Sequence, residues 1–388
     1  MPPSKPEKLR LLTLNICVHL PGGRNAYNIA LVKNSSAGVF ALFVIGFGLS
    51  DISNAGLCVL LVLLALPLSV IVAQPCSMFL SAVIFALKRD QFSEFKKERI
   101  DMLFDEGILQ QYDVITVQEL YGGWFVGSRY YQNYMKDVCK KAGLGYSCFA
   151  GRPKLPRILF DQGLAIFSRH PIMRSKRHVF SRQSIWDYMF VSRASLYAEV
   201  AVGDSGIAHV FTLHTAPSLD DMKKRTKLAS LLAERVPTVR VQGSELFKFI
   251  GEMVKGGEGG EGRTGVTVVM GDFNIRAGEG DYNYFSENLG SEYGLVDITK
   301  KKDGGWDSTF GVNDKNGKPV ETLLTSPGLR GKPQTLDFIF TDAKPLQESR
   351  VLLLENKDES TRDKFQCVSD HLGLESVVEV TVDGRTKR

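Results

Sequence analysis

The chain has 388 residues, 44% hydrophobic and 23% charged, with a formal charge of +5. The mild positive excess suits anionic membrane surfaces and nucleic acid equally, but no Lys/Arg block interleaved with aromatics favours nucleic acid. Six cysteines show neither CxxC nor paired spacing, which argues against a zinc site or a disulfide framework and for a reducing compartment.

In chain order, the first apolar strand-like run is LRLLTLN (9–15), ending at Asn15. A long apolar stretch follows. The next strand-like run, DVITVQE (113–119), ends at Glu119, and VFTLHTAP (210–217) delivers His214. GGEGGEGRTG (256–265) is a Gly-rich loop without Walker-lysine context. It precedes VTVVMGDFN (266–274), which carries Asp272 and Asn274. TLDFIF (335–340) places Asp337 in an apolar run, and SDH (369–371) supplies Asp370 and His371.

The runs before Asn15, Glu119, His214 and Asn274 are rich in Val, Ile, Leu and Thr and too short for helices. Continuous apolar runs fit strands buried on both faces of a layered α/β fold. Chemistry in such folds collects on loops at one end of the sheet. Each residue alone has a plain structural reading: a turn at Asn15 or GDFN, a core histidine at His214, a helix cap at Asp370–His371. The co-occurrence of all six motifs in order favours a site for a hard cation and a phosphate ester, with oxygen ligands for the cation and a histidine base for water.

LTLN, VQE, GDFN, LDF and SDH, in this order, resemble the endonuclease/exonuclease/phosphatase superfamily of Mg²⁺-dependent phosphohydrolases over most of residues 9–377. Within it the chain looks most like the neutral sphingomyelinase branch. LNICVHLPGG is similar to the start of that branch's catalytic domain, and FKKERIDMLFDEGILQQYDVITVQELYGG to its first helix and second strand. GLAIFSRHPI (163–172) resembles its third strand, and HTAPSLDDMKKRTKLASL (214–231) its His-containing segment. The PxWCDR segment of inositol polyphosphate 5-phosphatases is missing, and TLDF replaces the R-x-D-Y strand of abasic-site nucleases. One departure lies in DYMFVSRAS (187–195): Asp187 precedes Arg193 by six residues, where membrane-form relatives have Asp five residues before Lys. Arginine swaps a compact ammonium for a planar fork.

The resemblance implies a four-layer α/β/β/α sandwich, two packed mixed sheets flanked by helices. It implies Glu119 as principal ligand of Mg²⁺, with Mn²⁺ as the alternative ion, and Asn15 helping to position the metal. His371 would be the general base, oriented by Asp337. Asp272 and Asn274 would orient nucleophile and phosphate, and His214 would donate to a phosphoryl oxygen. Asp370 would bind a second metal or support His371. The implied activity is hydrolysis of a phospholipid, sphingomyelin to ceramide and phosphocholine, with no nucleic acid partner and no obligate protein partner. A nuclease or a phosphoinositide phosphatase on the same scaffold is the alternative, and a non-catalytic scaffold a third reading.

Glu119 follows Asn15 by 104 positions, and the excess is apolar. Residues 37–50 carry no charge, Asp51 interrupts, and 52–87 again carry none. About 20 apolar residues cross a bilayer. Asn15 and Glu119 must reach one metal, so an integral insert crosses an even number of times. This predicts an inserted hydrophobic helical hairpin over 37–88, within a discontinuous catalytic domain of 1–36 and 89–388. Lys88, Arg89, Lys96, Lys97 and Arg99 follow it, which predicts a membrane protein with its catalytic domain on the cytoplasmic side. A re-entrant segment and a retained intron stay open for the same stretch.

Overall fold

The computed structural model describes residues 7–18, 95–122, 129–151, 160–183, 191–203, 206–217, 238–255, 265–325 and 329–380. These belong to one compact unit built from residues 1–18 and 95–388. The anticipated hairpin over 37–88 lies outside the described residues.

The runs read as strands from their Val, Ile, Leu and Thr content are strands. They are β1 (Glu7–Val18), β2 (Val114–Leu120), β9 (Gly206–His214) and β10 (Val266–Asp272). Between β2 and β9 come β3 (Tyr146–Phe149), β4 (Phe160–Asp161), β5 (Ala165–Ser168), β6 (Ile172–Val179), β7 (Val191–Ser192) and β8 (Ala194–Val202). After β10 come β11 (Val296–Asp297), β12 (Asp337–Thr341), β13 (Arg350–Leu352) and β14 (Gly373–Val380). The helices that accompany them are α1 (Lys96–Asp105), α2 (Tyr130–Lys141), α3 (Thr238–Val254) and α4 (Gly280–Tyr293).

Two mixed sheets form, with strand orders β13-β14-β1-β2-β5-β3 and β11-β12-β10-β9-β8-β6, plus a short β4–β7 pair. Each large sheet has one parallel pair, β1 with β2 and β9 with β10, and antiparallel neighbours on both sides. A parallel pair brings its two C-terminal ends to one edge, and an antiparallel neighbour starts at that same edge. So Asn15, Glu119, His214 and Asp272 arrive together at strand ends. β12 begins there at Asp337, and β14 begins two residues after His371.

The side-chain period of two divides each strand between two cores. Leu9, Leu11, Val114, Ile166, Leu196, Val210, Val268, Met270, Ile339 and Val378 fill the space between the sheets. Each such fully buried aliphatic side chain contributes roughly 1.5–3 kcal/mol. The alternate residues Tyr197, Phe211, Val269, Phe338 and Phe340 face α3 and α4, which meet them with Leu246, Phe249, Ile250, Phe285 and Leu289. On the first sheet, Arg99 of α1 donates to the Ile16 and Val368 carbonyls at 3.0 and 2.6 Å, and Gln132 of α2 to the Leu120 carbonyl at 3.0 Å.

Along the inter-sheet face polarity changes in steps of two. Leu9 and Leu11 give way to Thr13 and Asn15, Val114 to Thr116 and Gln118, Val210 to Thr212 and His214, and Met270 to Asp272. Gln118 Nε2 donates to Thr13 Oγ1 at 3.1 Å in its own sheet and to Thr212 Oγ1 at 2.9 Å in the other. The apolar core thus ends at a polar rung, and the site lies just past it.

The anticipated membrane location with a cytoplasmic catalytic side needs correction. Among the described residues no helix is long and apolar enough to cross a membrane. The 17-residue α3 carries Arg240, Glu245, Lys248 and Glu252 along its length. Two of the five basic residues that set the orientation are also not on a surface. Lys96 and Arg99 are buried, because α1 turns them into the helix–sheet interface.

Candidate active site

Asp272 sits where three strand ends meet. It pairs in register with His214 of β9 on one side and Asp337 of β12 on the other. Sheet geometry alone therefore places these three side chains next to one another. Gly271 makes the spacing achievable: its φ is +146°, and a β-carbon there would sit 2.5 Å from the Leu213 carbonyl oxygen.

The first sheet delivers its groups differently. Asn15 is in register with Gln118, and the pairing shifts immediately afterwards. Gln118 faces the sheet interior, so simple alternation would turn Glu119 away. Glu119 instead adopts a left-handed backbone, φ +60°, a conformation that costs a non-glycine residue of order 1–3 kcal/mol. The turn aims its carboxylate into the site. Asn274, in the GDFN turn, has φ +50°.

Asn15 Nδ2 donates to Glu119 Oε1 at 3.3 Å and to Asp272 Oδ2 at 3.1 Å, which holds two like charges side by side. His214 Nε2 lies 3.4 Å from Asp272 Oδ2 and 3.8 Å from Glu119 Oε1. Its Nδ1 is buried without a hydrogen-bond partner among the described residues. Asn274 donates from its backbone N–H to Asp272 Oδ1 at 2.8 Å and from Nδ2 to the Thr215 carbonyl at 3.0 Å.

His371 stands on the far side of Asp272. Its Nδ1–H donates to Asp337 Oδ2 at 2.8 Å, and its Nε2 lies 3.9 Å from Asp272 Oδ2. The ring packs against Phe310, centroids 4.9 Å apart. Thr309 Oγ1 accepts from the Leu336 and Asp337 N–H groups at 3.1 and 3.3 Å, which seats the start of β12. Ser369 Oγ donates to the Asn15 carbonyl and accepts from the His371 N–H, so the SDH turn is tied to the end of β1. Asp370 is half-buried beside Ser369, whose Oγ lies 3.4 Å from its Oδ1. All eight residues singled out from the sequence thus lie at one edge of the two sheets.

Crowding so many carboxylates in a buried space distorts their titration. Burial, with Asp337 and Glu119 adding to it, pushes Asp272 up to about 7, against the pull of His371 and the Asn274 N–H. Burial and then Asp370 raise Glu119 above its ordinary range. Burial, together with Arg193 and His371, pushes His214 well below its usual value, so its imidazole is neutral. Burial alone would lower His371 too, but Asp337, Asp272 and Asp370 outweigh it and raise the imidazole well above its usual value.

The donor set fits a divalent cation. Glu119, His214 and Asp272 offer ligand atoms within 4.8 Å of one another, and Asp272, Asp337 and His371 do the same. Buried carboxylates held above their ordinary range mark a surplus of negative charge, which a cation would balance.

Three contributors lie outside the six strand-end motifs. Arg193 Nη1 donates to the Thr215 carbonyl at 2.8 Å, and its charge bears on both Glu119 and His214. Thr309 and Phe310 support Asp337 and His371. Only Arg193 stood out in the sequence, as the Arg of DYMFVSRAS.

The sequence profile of the Endonuclease/Exonuclease/phosphatase family matches residues 105–371, more than half of the chain. The chain belongs to that family. Its activity class is accordingly that of a metal-dependent phosphodiesterase or phosphatase. No curated protein sequence matches the chain. Among solved structures, beta toxin 275-280 from Staphylococcus aureus is 16% identical with a TM-score of 0.57, over 95% of this chain and 99% of that one. SmcL is 14% identical with a TM-score of 0.53, over 96% and 99%. A beta toxin double mutant from Staphylococcus aureus with bound magnesium ions is 16% identical with a TM-score of 0.56, over 95% and 99%. These likenesses are likenesses of fold. The family recognised from the motifs is thus the one to which the chain belongs.

Proposed function

We propose that this chain is a Mg²⁺-dependent phosphodiesterase that hydrolyses a phospholipid, with sphingomyelin as substrate and ceramide and phosphocholine as products. The observation that carries the reaction is the sharing of Asp272 between two clusters. On one side Glu119, Asp272 and His214 would hold the ion, and on the other Asp337 and His371 form a base pair of the hydrolytic kind. The bound ion would neutralise phosphoryl charge and favour in-line attack.

The chain's own residues do the remaining work. Asp337 accepts a hydrogen bond from the Nδ1–H of His371, which in the neutral ring leaves Nε2 as the acceptor for a proton from water. Nε2 faces Asp272, so a proton would be abstracted from water beside the carboxylate that also faces the ion-binding cluster. His214 is neutral and buried, so its imidazole can face the ion without first giving up a proton. Asn274, fixed by three hydrogen bonds to Asp272 and Thr215, orients the phosphate.

The substrate class rests on the sphingomyelinase-like motifs and on the missing segments of the phosphoinositide phosphatases and abasic-site nucleases. The test is a hydrolysis panel with Mg²⁺ on sphingomyelin, lysophospholipids, phosphoinositides and abasic DNA. Phosphocholine release from sphingomyelin is expected, lost on chelation and in His371→Ala. Cleavage of DNA with no lipid turnover would overturn the substrate assignment and leave the nuclease reading.

A further inference from the structure

Residues 161–163, DQG, run from the last residue of β4 toward β5 and belong to none of the motifs that carry the chemistry. Gln162 is fully buried. Its Nε2 donates to the carbonyl of His214, and its Oε1 accepts from the Ala194 N–H at 2.6 Å. Both partners lie in the second sheet.

Its neighbours reach the first sheet. Asp161 is buried too, and its carboxylate accepts from the Gly122 N–H at 2.9 Å, the Gly163 N–H at 2.8 Å and Gln132 Nε2 at 3.1 Å. Gln132 Nε2 also donates to the Leu120 carbonyl. The Gly163 carbonyl accepts from the Leu120 N–H at 3.1 Å. A β-carbon at Gly163 would fall on the Leu120 backbone, so only glycine permits this approach. Three consecutive residues therefore grip the chain just past Glu119 and the carbonyl of His214. These are the strand ends of opposite sheets whose side chains meet at 3.8 Å.

We propose that Gln162 is a positioning residue that sets the distance between His214 and Glu119, and through it the affinity of the site for its divalent cation. The inference rests on the metal-dependent reading of the site. Gln162 touches neither the reacting atoms nor the ligand atoms. It acts through the His214 backbone, as outer partners of ligands do, and losing such a partner typically weakens metal binding or activity 10–100-fold.

The experiment is calorimetric titration of the full-length chain with Mg²⁺ and Mn²⁺, without substrate, on wild type and Gln162→Met. Methionine keeps the shape and removes both hydrogen bonds. About tenfold weaker metal binding is expected, together with a fall in kcat at unchanged KM. If Gln162→Met does not fold, Gln162→Asn carries the test, since it keeps a buried amide too short to reach both partners. Equal metal affinity in wild type and a folded variant, with only a lower Tm, would reduce Gln162 to a structural brace and overturn the inference. A wild type that binds neither ion would overturn the metal-dependent reading first, and this inference with it.

Discussion

The two sheets supply the site in contrasting ways. In the second, His214, Asp272 and Asp337 are ordinary strand residues, brought together by the register of β9, β10 and β12. In the first, Asn15 alone follows the register. Glu119 enters through a left-handed backbone, and His371 through a turn tied to the end of β1. One sheet is a platform whose geometry follows from pairing. The other reaches that platform by breaking strand geometry at defined points. Substitutions on the platform should act through chemistry, and substitutions on the reaching side through chemistry and position together.

The largest effect should come from the pair that crosses the sheets. His371→Ala should lower kcat by about 10²–10⁴-fold, and Asp337→Asn by a comparable factor through loss of the productive tautomer. The double variant should be scarcely worse than the worse single one, because the two act as a unit. Additive losses in steady-state kinetics would separate the sheets' roles.

Next comes the metal. Mg²⁺ should raise the Tm of the wild type, chelation should reverse the rise, and Glu119→Gln from the first sheet and Asp272→Asn from the second should each abolish it. Differential scanning fluorimetry reads this directly. If only Asp272→Asn abolishes it, the first sheet does not hold the ion.

A smaller effect concerns pH. In chelated protein His371 titrates above its usual value because of Asp337, Asp272 and Asp370, despite burial. Its folded-state pKa lies above that of the unfolded chain, so the protonated imidazole stabilises the metal-free protein fully below about pH 6.5. That contribution is lost as pH rises through the raised value. Mg²⁺ should move the titration downward, since a nearby cation disfavours imidazolium. Nitrogen-15 NMR of the histidine rings follows both steps, and a titration unmoved by Mg²⁺ would count against the ion lying near His371.

The smallest effects compare two glycines, one serving each sheet. Gly271→Ala would press on the Leu213 carbonyl, and Gly163→Ala on the Leu120 backbone. Each should destabilise by about 1–3 kcal/mol in chemical denaturation. Both should also weaken metal binding, Gly163→Ala by displacing the chain that carries Glu119 and Gly271→Ala by displacing Asp272 and His214.

The sequence made the strands and their terminal residues legible more readily than the turns that aim them. β1, β2, β9 and β10 announce themselves as Val/Ile/Leu/Thr runs ending in polar residues, and the order of motifs brings Asn15, Glu119, His214, Asp272, Asn274, Asp337, Asp370 and His371 to one edge. No residue pattern announces the left-handed turn at Glu119, because it depends on what the surrounding chain imposes. The DQG segment was invisible for a similar reason. Gln162 works through backbone atoms 32 and 52 positions away, and such contacts leave no motif. A run of three turn-forming or polar residues immediately before an apolar strand was the available signal. The orientation drawn from Lys96 and Arg99 failed because charge in a sequence was read as surface, whereas both side chains are buried under α1.

Asp272, pushed up to about 7, gives the site the character of an ion exchanger. Near neutrality the carboxylates and the His371 imidazole share protons, and a cation binding among them must displace some of them. Uptake of Mg²⁺ should therefore acidify a weakly buffered solution, and the heat of binding should change with the ionisation enthalpy of the buffer. Cellular pH and free magnesium would then act on this enzyme as one combined variable.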